Sequence, residues 1–150
     1  ENMIPPLPAM PPGVKLGLSN IAVAYCLFFW GGREALFLAV LKSGFVLLTR
    51  GAAAGCISLA GGLLSLGAMA LAIRLAGKGG SRYFAVSIPG AVCHNLGQLL
   101  AAAALMKNAA VFYSLPVLIL AGILMGTATA VLLRAVMPAL RRLAPPGKGK

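Results

Sequence analysis

The chain is short, apolar and basic. It has 150 residues, of which 60% are hydrophobic and 10% charged, and its formal net charge is +11. A soluble domain carries about 25% charged residues, so the polar side chains here are too few to cover a water-exposed surface. The composition excludes a soluble globular domain and predicts an integral membrane protein. The basic residues are spaced between apolar runs, which argues against a nucleic-acid interface.

Five apolar runs follow a proline-rich segment at residues 1–13. Each run approaches the ~20 residues that a helix needs to cross the hydrocarbon core. Leu and Ala are frequent in the runs, which favours helix over strand. The runs cover Val14–Gly31, Glu34–Thr49, Ala52–Leu75, Tyr83–Met106 and Tyr113–Val136. We therefore predict an all-α membrane protein, a single compact bundle of five transmembrane helices within residues 14–136.

Glycine and proline separate the runs and also occur within them. Pro138, together with Pro145, Pro146 and Gly147, is expected to end the fifth helix and to lead into a short basic tail, residues 137–150. Glycines four residues apart occur at Gly51–Gly55 and at Gly122–Gly126. This spacing is typical of transmembrane helices that approach each other closely, and it supports a compact bundle.

The basic residues predict the orientation of the bundle. If the C-terminal tail is cytoplasmic, the basic residues on the inner side are Arg33, Arg74, Lys78, Arg82, Arg134, Arg141, Arg142, Lys148 and Lys150. Those on the outer side are Lys15, Arg50 and Lys107. The positive-inside rule favours this arrangement, in a multi-pass protein of the cell membrane. Residue 1 then lies outside the cell, and we expect one further N-terminal span in the natural protein, giving six.

A group of polar residues interrupts the fourth run. On a helix, one face would carry Ser87, Gly90, Ala91, His94, Asn95 and Gln98. The opposite face would carry Ile88, Val92, Leu96, Leu99 and Leu100. Polar groups at membrane depth must face other helices, water or a bound molecule. For His94 two interpretations stay open: a structural hydrogen bond between helices, or the wall of a ligand cavity.

Lys42 lies near the middle of the second run. A lysine at mid-span costs about 2.5–3.5 kcal/mol on insertion scales. The chain has no Asp, and its only acids are Glu1 and Glu34, so no other span offers a carboxylate. Lys42 could be neutral, extend towards the headgroups, bond to amide or carbonyl groups, or meet an anionic ligand.

The same shortage of acids argues against catalysis. Without Asp, the chain lacks the carboxylates that hold magnesium and diphosphate in polyprenyl synthases. It has no P-loop for ATP hydrolysis, and its one histidine has no carboxylate to orient it. We therefore expect no enzymatic activity of the chain alone, no cofactor and no metal site.

Four ordered segments resemble the Gx transporter family, which is also labelled heptaprenyl diphosphate synthase component I. They are Pro12–Ile21, Glu34–Leu36, Ser58–Ser65 and Gly90–Leu99. The family's bundle is similar to the substrate-binding S components of energy-coupling factor vitamin transporters. The resemblance implies a six-helix protein that captures a small molecule from outside. It matches the family's polar positions at Asn20, His94, Asn95 and Gln98, whereas Lys42 stands where the family often has Arg.

Three functions are compatible with these residues. The first is a substrate-capturing transport component with a separate ATPase module, which binds an anionic or amphiphilic molecule. Its ligand-binding residues would be Asn20, Lys42, His94, Asn95 and Gln98. The second is an accessory membrane subunit of a polyprenyl diphosphate synthase or of a quinone or flavin electron-transfer assembly. The third is a scaffold bundle without a ligand.

Overall fold

The computed structural model describes residues 18–75 and 82–143, and their regular structure is helical throughout. Five α-helices follow in chain order, with a short 3-10 helix at Ala109–Ser114 before the last of them. They are α1 (Leu18–Phe29), α2 (Gly32–Arg50), α3 (Ala52–Leu75), α4 (Arg82–Met106) and α5 (Leu115–Leu143). This arrangement confirms the predicted all-α bundle.

Two glycines make the sharp connections on either side of α2. Gly31 and Gly51 have φ angles of 113° and 91°, a region that side chains with a Cβ rarely adopt. The N–H of Gly51 donates to the carbonyl of Leu47 at 3.0 Å, which closes the last turn of α2. Gly51 is therefore a connecting residue, and only Gly55 of the Gly51–Gly55 pair lies inside α3.

The fifth helix continues through Pro138, so the prediction that it ends there is wrong. It reaches Leu143, well into the predicted tail. Proline removes one hydrogen bond to the carbonyl four residues earlier. The ring of Pro138 lies on the exposed side of α5, while Leu133 and Met137, both 3% exposed, anchor the opposite side in the core. Packing of the buried side thus outweighs the missing bond.

Helices α2 to α5 form an antiparallel series in which α4 is central. Contacts are most extensive between α3 and α4, then between α4 and α5, then between α2 and α3. Helix α1 contacts α2, α3 and α5. Both sides of α4 are therefore packed, one against α3 and the other against α5. The faces that the sequence assigned to polar and apolar residues both meet protein.

The buried core combines small side chains with leucine and methionine. The core residues are Val23, Ala24, Cys26, Leu27, Ala35, Leu66, Met69, Val86, Leu133 and Met137. They come from all five helices and lie at the end of the bundle where α3 ends and α4 begins. Small residues let the helix backbones approach closely, which is how helices associate in lipid.

The outer surface is apolar, as the bilayer requires. Phe37 is 70% exposed, Leu120 is 63% exposed and Leu48 is 83% exposed. Three segments of the described chain are long and apolar enough to cross a membrane: Ala52–Leu75, Arg82–Met106 and Ala109–Pro138. The protein is therefore a membrane protein. That α1 and α2 also span the bilayer stays a prediction.

Candidate functional site

The predicted polar residues of α2 and α4 lie near the middle of their helices. His94 is twelve residues from either end of α4, which is about 18 Å along the helix axis. Lys42 is ten residues from the start of α2 and eight from its end. Since α4 is one of the three apolar segments that can cross a bilayer, a span centred on α4 would place His94 close to the bilayer centre.

Helix α4 packs closely against α3 at Gly61. A Cβ at Gly61 would lie 2.6 Å from Cγ of Gln98, 2.9 Å from the carbonyl oxygen of His94 and 3.1 Å from its Cε1. No side chain fits in that space, so a glycine is required. His94 also makes a hydrogen bond with the backbone of Gly61. The predicted residues His94 and Gln98 therefore meet at one place on α3.

A second glycine forms the other half of the same contact. A Cβ at Gly97 would lie 2.8 Å from the carbonyl oxygen of Ala60 and 2.9 Å from Cα of Gly61. Because both helices carry glycine at the crossing, their backbones touch there. This reciprocal pair fixes the register of α4 on α3 and places His94 and Gln98 on either side of the crossing.

Lys42 approaches this place from α2. Gly62 lies against Ala39, with 3.6 Å between the glycine's Cβ position and the alanine Cβ, so α2 and α3 pack closely at this level. Lys42 is half-buried and close enough to His94 for the two side chains to interact electrostatically. The neighbouring Ser43 is buried, and its hydroxyl donates to the carbonyl of Ala39 at 2.8 Å. A polar centre thus lies between α3 and α4, formed by Gly61, His94 and Gln98, and Lys42 of α2 lies within electrostatic range of His94.

Asn95 points away from this polar centre. Its Nδ2 donates to the carbonyl oxygen of Leu118 on α5 at 2.8 Å. A small cleft beside it is lined by Val92, Asn95, Leu96, Leu99, Leu115, Leu118 and Ile119. The cleft has a volume of about 10 Å³, which is at the lower limit for one water molecule. Asn95 therefore joins α4 to α5. Asn20 belongs to α1, and its side chain lies outside the described part of the protein.

Two buried serines of α3 and α4 were absent from the predicted ligand-binding set. Ser65 is 2% exposed and Ser87 is 1% exposed. Their hydroxyls, like Nδ1 of His94, are buried and have no hydrogen-bond partner among the described residues. Such groups are rare in native proteins and generally bind water or a ligand. For Ser65 the available signal was its spacing of seven from Ser58, which puts both on one face of α3.

The polar centre contains groups that can bind a polar or charged molecule. Together with Lys42 it offers ammonium, amide and imidazole groups, which donate and accept hydrogen bonds. The one acid in the described ranges, Glu34, is exposed and lies eight residues from Lys42, about 12 Å along α2. No three His, Cys, Asp or Glu side chains come together as metal ligands within residues 18–75 and 82–143.

Comparison with known proteins identifies one family. The family described as heptaprenyl diphosphate synthase component I matches residues 1–136. No curated protein and no solved structure matches the chain. The matched range contains the polar centre and most of the helical bundle.

Proposed function

The chain belongs to the heptaprenyl diphosphate synthase component I family, and we propose that it captures a small molecule in the membrane as the binding component of a transporter. The observation that carries the proposal is the polar centre. His94 and Gln98 meet Gly61 at mid-helix depth, and Lys42 lies within electrostatic range of His94. A positive charge and buried hydrogen-bonding groups at this depth are costly, and such groups usually mark a ligand or ion site.

The ligand would be anionic or amphiphilic. Lys42 supplies a positive charge, and the sequence contains only two acids to compete for it. His94 and Gln98 can donate and accept hydrogen bonds to a polar head group. Ser65 and Ser87 add buried hydroxyls on the same two helices. An apolar part of the ligand would lie against the Leu and Ala side chains of the bundle.

In this proposal the chain performs no chemistry and depends on a partner for energy. Its sequence has no P-loop, so a separate ATPase module would drive release of the ligand. The orientation follows the basic residues, with the C-terminus in the cytoplasm and residue 1 outside.

Native mass spectrometry of the full chain, gently purified from membranes, tests this proposal. We expect the wild type to retain a small molecule that is not a phospholipid. The Lys42→Met variant should retain at least about tenfold less, since a hydrogen bond to a charged group contributes about 1.5–3 kcal/mol. Methionine has a similar length and is cheaper to insert in a bilayer, so folding should not suffer.

Lys107→Met is the matched control because it removes one lysine from an exposed position at the end of α4. This variant should retain the molecule as the wild type does. Equal retention by Lys42→Met and wild type would refute the proposal, and so would the absence of any retained molecule from the wild type.

The family description supports a second candidate, an accessory membrane subunit of a polyprenyl diphosphate synthase. Such a subunit would receive the long apolar product at its lipid-facing surface. Reconstitution of the chain with a soluble polyprenyl synthase in liposomes tests this role. We expect faster product release into the lipid and direct association of the two proteins. Unchanged synthase kinetics and no association would exclude it.

A further inference from the structure

Three arginines lie at one end of the bundle, on three consecutive helices. Arg74 is in the last turn of α3, Arg82 is the first residue of α4, and Arg134 lies nine residues before the end of α5. Arg74 and Arg134 are exposed, and Arg82 is half-buried. Because neighbouring helices are antiparallel, these ends lie on the same side of the bundle.

The glycine contacts place the three arginines at nearly the same level. Gly90 of α4 lies against Met69 of α3, so Arg74 is level with about residue 85, some 4 Å along the axis from Arg82. Gly126 of α5 lies against Ile88 of α4. Counting from that contact, Arg134 lies about two residues beyond the first residue of α4, some 3 Å along the axis from Arg82.

The surroundings of these arginines are apolar and exposed, unlike a surface that faces bulk water. Leu71 is 57% exposed and Leu75 is 78% exposed, on either side of Arg74. Val131 and Val136, on either side of Arg134, are 53% and 44% exposed. Large apolar side chains alternating with arginine are typical of the boundary between lipid tails and headgroups, where the guanidinium groups reach the phosphates.

Arg82 is stacked on an aromatic side chain, but its Nε lacks a hydrogen-bond partner in the described part of the chain. Its guanidinium carbon lies over the ring of Phe28, 5.6 Å from the centroid, and Phe28 contacts Tyr83 edge to face at 5.4 Å. Stacking covers the face of a guanidinium and leaves the N–H groups at its edge able to donate hydrogen bonds. Nε of Arg82 is buried and makes no hydrogen bond in the described part of the chain.

We propose that Arg74 and Arg82, on the adjacent helices α3 and α4, form a binding site for the phosphate headgroup of an anionic phospholipid. Guanidinium groups bind phosphate oxygens in pairs, and a fixed guanidinium loses little freedom on binding. The lipid's tails would lie against the exposed leucines beside Arg74. A free phosphate ion would gain nothing from these apolar neighbours. The site is separate from the polar centre and does not depend on the proposed transport function.

The test measures lipid retention by the full chain in nanodiscs of equal phosphatidylglycerol and phosphatidylcholine. After release into mild detergent, native mass spectrometry counts the lipids that stay bound. We expect the wild type to retain phosphatidylglycerol in preference to phosphatidylcholine. Arg74→Gln should lower this retention about fivefold, and the Arg74→Gln, Arg82→Gln double variant further, since each basic residue near anionic lipid contributes about that factor.

Two controls make the result decisive. Lys107→Gln removes a positive charge at the opposite end of α4 and should leave retention unchanged. Addition of inorganic phosphate to 10-fold excess over lipid should displace no phosphatidylglycerol. Arg74 is exposed, so its single variant should fold even if loss of Arg82 destabilises the stack on Phe28. Equal retention by wild type and Arg74→Gln, equal retention of the two lipids, or displacement by inorganic phosphate would each overturn the proposal.

Discussion

Gly61 shows how one residue without a side chain determines the polar centre. An added methyl would lie 2.9 Å from the carbonyl oxygen of His94, a backbone atom that cannot rotate away. Gly61→Ala should therefore separate α3 from α4 at this level. We expect a net loss of up to about 2 kcal/mol, the overpacking penalty less the gain in helix propensity. Thermal unfolding in detergent, followed by circular dichroism, measures the change.

Gly67→Ala is the matched control on the same helix. A Cβ at Gly67 meets nothing within 4 Å, so the substitution should leave stability unchanged or raise it by up to about 1 kcal/mol. A Gly61→Ala variant as stable as Gly67→Ala would show that α3 and α4 do not touch at Gly61.

Asn95 illustrates a polar residue whose contact connects two helices. Its amide donates to Leu118 on α5. Asn95→Ala should cost about 0.6 kcal/mol and at most about 1.7 kcal/mol, the average and the maximum for hydrogen bonds between transmembrane helices. Thr127→Ala serves as the comparison, because the Thr127 hydroxyl bonds to Ile123 of its own helix and should matter less. Unfolding in detergent measures the loss of stability in each variant. Equal losses in the two variants would contradict the role of Asn95.

At the level of elements, α5 packs closely against α4 at Gly126. A Cβ at Gly126 would lie 2.6 Å from Cα of Ile88 and 2.9 Å from the carbonyl oxygen of Ser87. Both neighbours are backbone atoms, so α5 as a whole would have to move. Gly126→Val should therefore cost about 3 kcal/mol, the upper part of the overpacking range. Ala128→Val, on the exposed side of α5, should change the unfolding temperature little.

The sequence predicts the helices well where polar or flexible residues bound them on both sides. The third run was predicted at Ala52–Leu75 and is a helix over that range. The predicted end of the fifth helix is wrong because proline usually terminates a helix, whereas burial of Leu133 and Met137 keeps α5 intact through Pro138. Local sequence signals do not contain that tertiary contribution.

The arrangement of the polar residues was less predictable. Helical periodicity places Asn95 and Gln98 on one face of α4. The structure turns Asn95 towards α5 and Gln98 towards α3, because α4 lies between the two helices. Which neighbour each residue meets depends on the register of the helices, which the contacts of Gly61, Gly97 and Gly126 set. Periodicity within one helix contains no information about that register.

At the scale of the whole molecule, charge is distributed unevenly between the two ends. Arg74, Arg82 and Arg134 lie at one end, and Arg50 and Lys107 lie at the other. The positive-inside rule assigns the arginine-rich end to the cytoplasm. Phospholipids with a negative charge in that leaflet would reinforce the same orientation through the proposed headgroup site.

Labelling of single cysteines in whole cells tests this orientation. In a background with Cys26, Cys56 and Cys93 replaced by Ala, Lys107→Cys should react with a membrane-impermeant maleimide in intact cells. Arg74→Cys should react only after the membrane is permeabilised, because the positive-inside rule predicts that its end of the bundle faces the cytoplasm. Both positions are exposed, so burial cannot explain a difference between them. The reverse pattern would place the arginine-rich end outside and would leave the ligand entering the bundle from the cytoplasm.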